Sequence, residues 1–81
     1  MSHDRIRARK PTTDADRWTV GTVERTSRRD GDVVFEVRPD EGEAVDLAVT
    51  TAVGKLVEKR LDLEDGESPV GARVWYRKRG E

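Results

Sequence analysis

Between Arg17 and Arg79 the apolar residues fall into short alternating runs separated by turn-forming residues, the pattern of a small β-rich domain. In Trp18-Thr19-Val20-Gly21-Thr22-Val23 the alternation holds as far as Gly21, after which Val23 takes the opposite parity. A bulge at the glycine would return Val23 to the core face. The next run, Asp32 to Arg38, puts Val33, Phe35 and Val37 on one face and Val34, Glu36 and Arg38 on the other. Asp30-Gly31 joins the two runs as a hairpin signal, because glycine takes a positive φ without a Cβ penalty. Pro39-Asp40-Glu41-Gly42 marks a second turn, and Val45, Leu47 and Val49 alternate with Asp46 and Ala48 as a third strand, so the three strands form a meander.

The spacing then changes from two to the helical period. Thr50 or Thr51 can cap a helix whose apolar positions Val53, Leu56 and Val57 lie at i, i+3 and i+4, with Leu61 continuing the face. Gly54 inside it costs about 1 kcal/mol relative to alanine, which predicts a short helix or a neighbour packed closely against the glycine. Asp62 to Pro69 reads as an acidic loop and Val70 to Arg79 as the last strand. The expected class is therefore mainly β with one short helix (α+β), in the order β-β-β-α-β, folded as a small open barrel or curved sheet. Residues 1–16 carry one large aliphatic, Ile6, among Arg5, Arg7, Arg9 and Lys10, and read as a mobile basic arm outside a single domain of residues 17–81.

Composition narrows the possibilities. The chain has 81 residues, 33% hydrophobic and 41% charged, so its core is thin. A domain of this size buries only about 60% of the surface its unfolded chain exposes, which makes a homodimer an expectation. The absence of cysteine excludes disulfides, thiolate metal sites and cysteine nucleophiles. No apolar run approaches the roughly 20 residues that cross a bilayer, and no secretory leader is visible, so a soluble cytoplasmic protein is expected.

The formal net charge of −1 hides an uneven distribution. Residues 1–29 hold eight basic and four acidic side chains, residues 30–67 four and twelve, and residues 68–81 four and one. A chain that is basic, acidic and basic again acquires two electrostatic poles if its ends fold together. Arginine outnumbers lysine twelve to four, which points to a GC-rich genome, and the acidic middle resembles the surfaces of halophilic archaeal proteins.

The last strand is the most informative segment chemically. Alternation places Val70, Ala72, Val74 and Tyr76 on one face and Arg73, Trp75, Arg77 and Arg79 on the other. An indole flanked by guanidiniums is a usable nucleic-acid platform, with bases stacking on the ring and arginines reaching phosphates. On the alternative reading Trp75 fills a second small core or a dimer interface, and the arginines only solvate its edges. Arg28 and Arg29 at the hairpin tip extend the basic surface to its rim, unless they form screened ion pairs with Asp30, Asp32 or the acidic loop.

Other chemistry is poorly served. Asp62-Leu63-Glu64-Asp65-Gly66-Glu67 does not place its glycine and terminal glutamate where a calcium loop needs them, and reads as a solvated loop. His3 is the only histidine, so no histidine-based triad or multi-histidine metal site can be assembled. Glycines occur singly, without a phosphate-binding loop. No catalytic residue, metal or cofactor is expected, and no small-molecule substrate.

The segments Arg17-Trp18-Thr19-Val20-Gly21-Thr22-Val23, Leu47-Ala48-Val49-Thr50-Thr51-Ala52-Val53 and Ser68-Pro69-Val70-Gly71-Ala72-Arg73-Val74-Trp75-Tyr76-Arg77-Lys78 resemble those of a family of short haloarchaeal proteins without an assigned activity. The resemblance covers about residues 17–79 and implies an organism class but no chemistry. At fold level the element order is similar to the core of an OB or SH3-like barrel, lacking the fifth strand that an OB-fold adds after the one following the helix; either a partner's strand supplies that edge or the barrel is open. Two functions stand side by side. One is a module that contacts RNA or DNA with little sequence selectivity, centred on Arg73, Trp75, Arg77 and Arg79, with Arg28 and Arg29 at the rim and the arm adding phosphate contacts. The other is an interaction or structural module that homodimerises or docks a protein partner through the same strand, by edge addition in one version.

Overall fold

The structure is a computed structural model and describes residues 4–63 and 67–78. Five strands form one antiparallel sheet: β1 (Arg5–Arg7), β2 (Thr19–Arg29), β3 (Asp32–Pro39), β4 (Val45–Val49) and β5 (Arg73–Arg77), with helix α1 (Thr51–Arg60) between β4 and β5. The spatial order is β1-β5-β2-β3-β4, so the α+β class expected from the pattern is what the chain adopts. The meander β2-β3-β4 also follows the expected hydrophobic alternation. Val33 pairs with Val49, Phe35 with Leu47 and Val37 with Val45, which stacks the apolar faces of β3 and β4 in register.

Local chemistry sets the connections. Asp30 and Gly31 both have positive φ, 51° and 85°, the two-residue turn whose twist matches that of its flanking strands. Thr50 caps α1, its hydroxyl accepting the Val53 N–H at 3.2 Å, and the Thr51 hydroxyl donates to the Gly31 carbonyl at 3.1 Å, tying the helix start to that hairpin. Gly54 is where the helix meets the sheet. A Cβ there would stand 3.3 Å from a Val33 methyl, so the glycine is the contact surface and its cost in helix propensity is offset by close approach.

Phe35, Leu47, Val23, Val37 and Val74 are fully buried between the curved sheet and α1, joined by Val49, Val57, Tyr76 and Ile6. Four sequence expectations need correction. The segment expected as a mobile arm contributes β1, whose Ile6 lies in the core at 4% exposure and pairs with Tyr76. One aliphatic suffices because the strand adds to a sheet already built by the rest of the chain. The bulge lies between Val23 and Arg25, not at Gly21. Val20 belongs to the outer face, opposite Trp75, while Gly21 faces inward, where a Cβ would come within 2.7 Å of the Arg38 carbonyl and a Val37 methyl.

Contrary to the expected face, α1 buries Gly54 and Val57 and packs Leu61 but leaves Val53 and Leu56 exposed. Centring the helix on Gly54 rotates those two side chains off the sheet. Lastly, β5 starts at Arg73, because Gly71 at φ 92° turns the chain and leaves Val70 exposed.

The sheet does not close through a strand ladder. Its two edges are instead clasped at one end by residues 4 and 78. The Asp4 N–H donates to the Ala48 carbonyl at 3.2 Å, and the Ala48 N–H donates to the Asp4 carboxylate at 3.1 Å. The Lys78 ammonium donates to the Asp46 carbonyl at 2.8 Å and lies 3.5 Å from the Asp4 carboxylate. The Ala48 N–H and carbonyl and the Asp46 carbonyl on the outer edge of β4 thus have partners within the same chain, which blunts that edge as a template for a second strand.

Candidate nucleic-acid interface

β5 is an interior strand. Arg73 to Tyr76 are laddered with Thr19 to Thr22 of β2, and Trp75 to Arg77 with β1 on the other side. Docking a partner by edge addition along β5 is therefore not open to this chain. The ladders place β5's outer-face residues in rows: Arg7, Trp75 and Val20 form one, Arg5 and Arg77 another, and Arg73 and Thr22 a third.

The expected site residues meet different fates. Arg73 is neutralised by a two-pronged contact with Asp40, at 2.7 and 2.9 Å, and its other hydrogen bond goes to the Thr22 hydroxyl. The hydrogen bond from Arg73 holds the Asp40 carboxyl below the usual carboxylate range, and Asp40 raises the guanidinium in turn. Trp75 is half-buried, with the Lys10 ammonium 5.6 Å from its ring centroid. Arg77 keeps its expected face beside Arg5. Arg79 lies outside the described residues, as does His3.

Arg28 and Arg29 sit at the far end of β2, paired with Val33 and Asp32. Arg28 is six residues beyond the last contact of β2 with β5, about 20 Å along the strand at 3.3 Å per residue. Arg29 approaches Asp46 at 4.0 Å. These two do not share a surface with β5.

What β5 does share is a basic region built from the N-terminal segment. After β1 the chain crosses the outer face, buries Pro11, makes one turn of 3-10 helix at Ala15–Arg17 and delivers Trp18, 9% exposed, back to the sheet. The Arg7 guanidinium stands 5.3 Å over the Trp18 ring, as Lys10 does over Trp75. Each indole thus holds a cation by its ring quadrupole, in addition to the area it buries.

Two clefts open along this crossing. One, about 470 Å³, is lined by Arg7, Arg9, Lys10, Pro11 and Arg60, the last from the end of α1. The other, about 210 Å³, is lined by Arg5, Arg7, Arg77, Trp18, Asp14 and the Thr12–Thr13 pair. Arg7 belongs to both. Among the described residues, no carboxylate lies within 4.0 Å of Arg5, Arg7, Arg9, Lys10 or Arg60.

The sequence pattern alone assigns Arg5, Arg7, Arg9 and Lys10 to an accessory arm and gives no site role to Arg60 or Trp18. One signal was available: Arg5-Ile6-Arg7 is itself a polar-apolar-polar alternation, the pattern of a short strand.

A small open antiparallel sheet with one helix and an arginine-rich outer face defines a structural class, not an activity. Residues 1–78 match a family described as a family of unknown function, DUF7861, and the chain belongs to it. The match includes the N-terminal strand. No curated protein and no solved structure matches the chain.

Proposed function

We propose that this chain is a non-catalytic binding module that contacts RNA or DNA through the outer face of β1 and β5, reading the phosphate backbone with little sequence selectivity. The observation that carries this reading is the convergence of Arg5, Arg7, Arg9, Lys10 and Arg60 on two adjoining clefts without a carboxylate within 4.0 Å among the described residues. Grouping like charges costs electrostatic energy that a polyanion relieves, and release of its counterions drives the association.

The centre of the interface moves from the one expected. Arg5, Arg7 and Arg77 replace the Arg73-centred set, because Arg73 is held by Asp40. Trp75 and Trp18 position cations first, and a base that stacks on Trp75 does so on ring area that Lys10 leaves open. Phosphate contacts therefore outweigh stacking in this interface.

Fluorescence anisotropy of labelled single- and double-stranded oligonucleotides tests the proposal. Affinity should fall steeply between 50 and 200 mM salt, with a slope of about −0.7 per neutralised phosphate on a single strand. Arg7→Ala should weaken binding to all sequences alike, and Arg28→Ala should leave it unchanged. Absence of binding at the lower salt would overturn the reading.

A further inference from the structure

Resting on that reading, we infer that the smaller cleft is a socket for a terminal phosphate monoester, so that the preferred ligand is the phosphorylated end of a nucleic-acid strand. The register supplies the first argument. Arg5 stands directly opposite Arg77, and Arg7 follows on the same face of β1. The register thus gathers guanidiniums from two neighbouring strands on one outer-face patch, where an anion can be met by more than one fork.

The shape of the lining supplies the second. The cleft is closed on one side by the crossing segment Pro11 to Asp14, with Pro11 buried, and on another by Trp18. Its 210 Å³ is about seven times a water molecule's share of liquid volume, enough for a phosphate group and the edge of its sugar. Three arginines and Asp14 give the lining a formal charge of +2. A phosphate monoester carries about −1.5 to −2 near neutral pH and presents three terminal oxygens. An internal diester carries one charge and two such oxygens. Guanidinium forks match this terminal group well, and the Thr12 and Thr13 hydroxyls in the same lining add donors. Arg77 has a further interaction of its own, so Arg5 and Arg7 carry the discrimination.

Continuity supplies the third. Because Arg7 lines both clefts, a strand whose end sits in the smaller one continues into the larger, past Arg9, Lys10 and Arg60. The two sites then have separate tasks. The larger holds the adjoining backbone and the smaller recognises the end.

The experiment is a binding comparison at fixed salt of one single-stranded oligonucleotide in three forms, with a 5′-phosphate, with a 3′-phosphate, and with hydroxyls at both ends, each labelled internally. One phosphorylated form should bind at least about tenfold tighter than the hydroxyl form, the scale of one or two charge-assisted hydrogen bonds. Arg5→Gln, at an exposed position lining only the smaller cleft, should lower the affinity of the phosphorylated form more than that of the hydroxyl form and so remove the preference. Arg60→Gln should weaken all three forms by the same factor. Equal affinity for the three forms would overturn the socket while leaving the nucleic-acid reading intact. Failure of every form to bind would overturn the reading itself. A nucleoside monophosphate that binds as tightly as the phosphorylated oligonucleotide would overturn the strand-end assignment in favour of a small organic phosphate. Arg5→Gln is checked by its circular dichroism and melting temperature, and Arg5→Lys, which keeps the charge but not the fork, should retain only part of the preference.

Discussion

Two arginine-bearing regions of this molecule behave differently. Along the β2–β3 hairpin and its adjoining turn, Arg25 pairs with Glu36 at 3.1 Å, Arg38 with Glu24 at 3.0 Å, and Arg73 with Asp40 at 2.7 Å. Around β1 and the crossing segment, Arg5, Arg7, Arg9 and Lys10 have no such carboxylate among the described residues, and two of these cations rest on indoles instead. The lesson is that arginine number along the chain is a poor guide to a binding face. Register and the adjoining turn bring a carboxylate within reach of each arginine of the first group, whereas in the second the register sets Arg5 opposite Arg77 and Arg7 opposite Trp75.

The strongest way to break this contrast is to remove the anchor that presents the second group. Ile6→Ala should cost about 2–5 kcal/mol, as for other buried aliphatic truncations, measured by denaturant unfolding. It should weaken oligonucleotide binding as β1 detaches. Near wild-type stability would mean that β1 contributes little to the fold.

Changing the arginines directly should separate the two regions by affinity. Arg5→Ala combined with Arg7→Ala should reduce oligonucleotide affinity about a hundredfold or more, each charged contact contributing about 1.5 kcal/mol or more. Arg25→Ala combined with Arg38→Ala should change affinity by less than about twofold while leaving the protein folded, since exposed pairs contribute little. Equal losses in the two double variants, read by anisotropy, would erase the distinction.

Lys10→Ala sharpens the role of the aromatic rings. A cation over an exposed ring contributes about 0.5–1 kcal/mol, so the melting temperature should fall slightly while the Trp75 emission shifts towards the red as the ring becomes wetter. An unchanged spectrum would show that Lys10 does not rest on that ring in solution.

The smallest effect is a matter of pH. The Asp40 carboxyl is held below its ordinary value, so its pair with Arg73 contributes fully above the unfolded carboxylate range and is lost as pH falls through the lowered value. The stability difference between wild type and Asp40→Asn should therefore be small at neutral pH and vanish once pH has fallen through the lowered Asp40 value. Oligonucleotide binding at neutral pH should be slightly tighter in Asp40→Asn, which removes a carboxylate and releases Arg73 on the same outer face.

Much of the fold was legible in the residue pattern, and the reasons differ by element. Val33, Phe35 and Val37 face Val49, Leu47 and Val45 because alternation with a Gly-containing turn determines both face and register. Thr50 caps where a threonine before a helical run should. β1 was not legible in the same way, since three residues with one aliphatic form a strand only against an existing edge. The same dependence hid the site. Arg5 and Arg77 are far apart in the chain and become opposite neighbours only through the order β1-β5-β2, which no local pattern records. Trp75 was placed on the correct face, but its partner Lys10 comes from a segment whose path is irregular.

That strand order also bears on how the protein is made. β5 fills the gap between β1 and β2, so the first strand to leave the ribosome has no ladder partner until the last has emerged. The Asp4–Ala48 clasp and the Lys78 contact with Asp46 likewise await residues from both ends. During synthesis the meander and helix can form as local units, but the sheet is completed in a single late step that depends on contacts distant in sequence. Until residues 73–77 insert, the nascent chain therefore lacks the smaller cleft, which Arg77 lines together with Arg5 and Arg7.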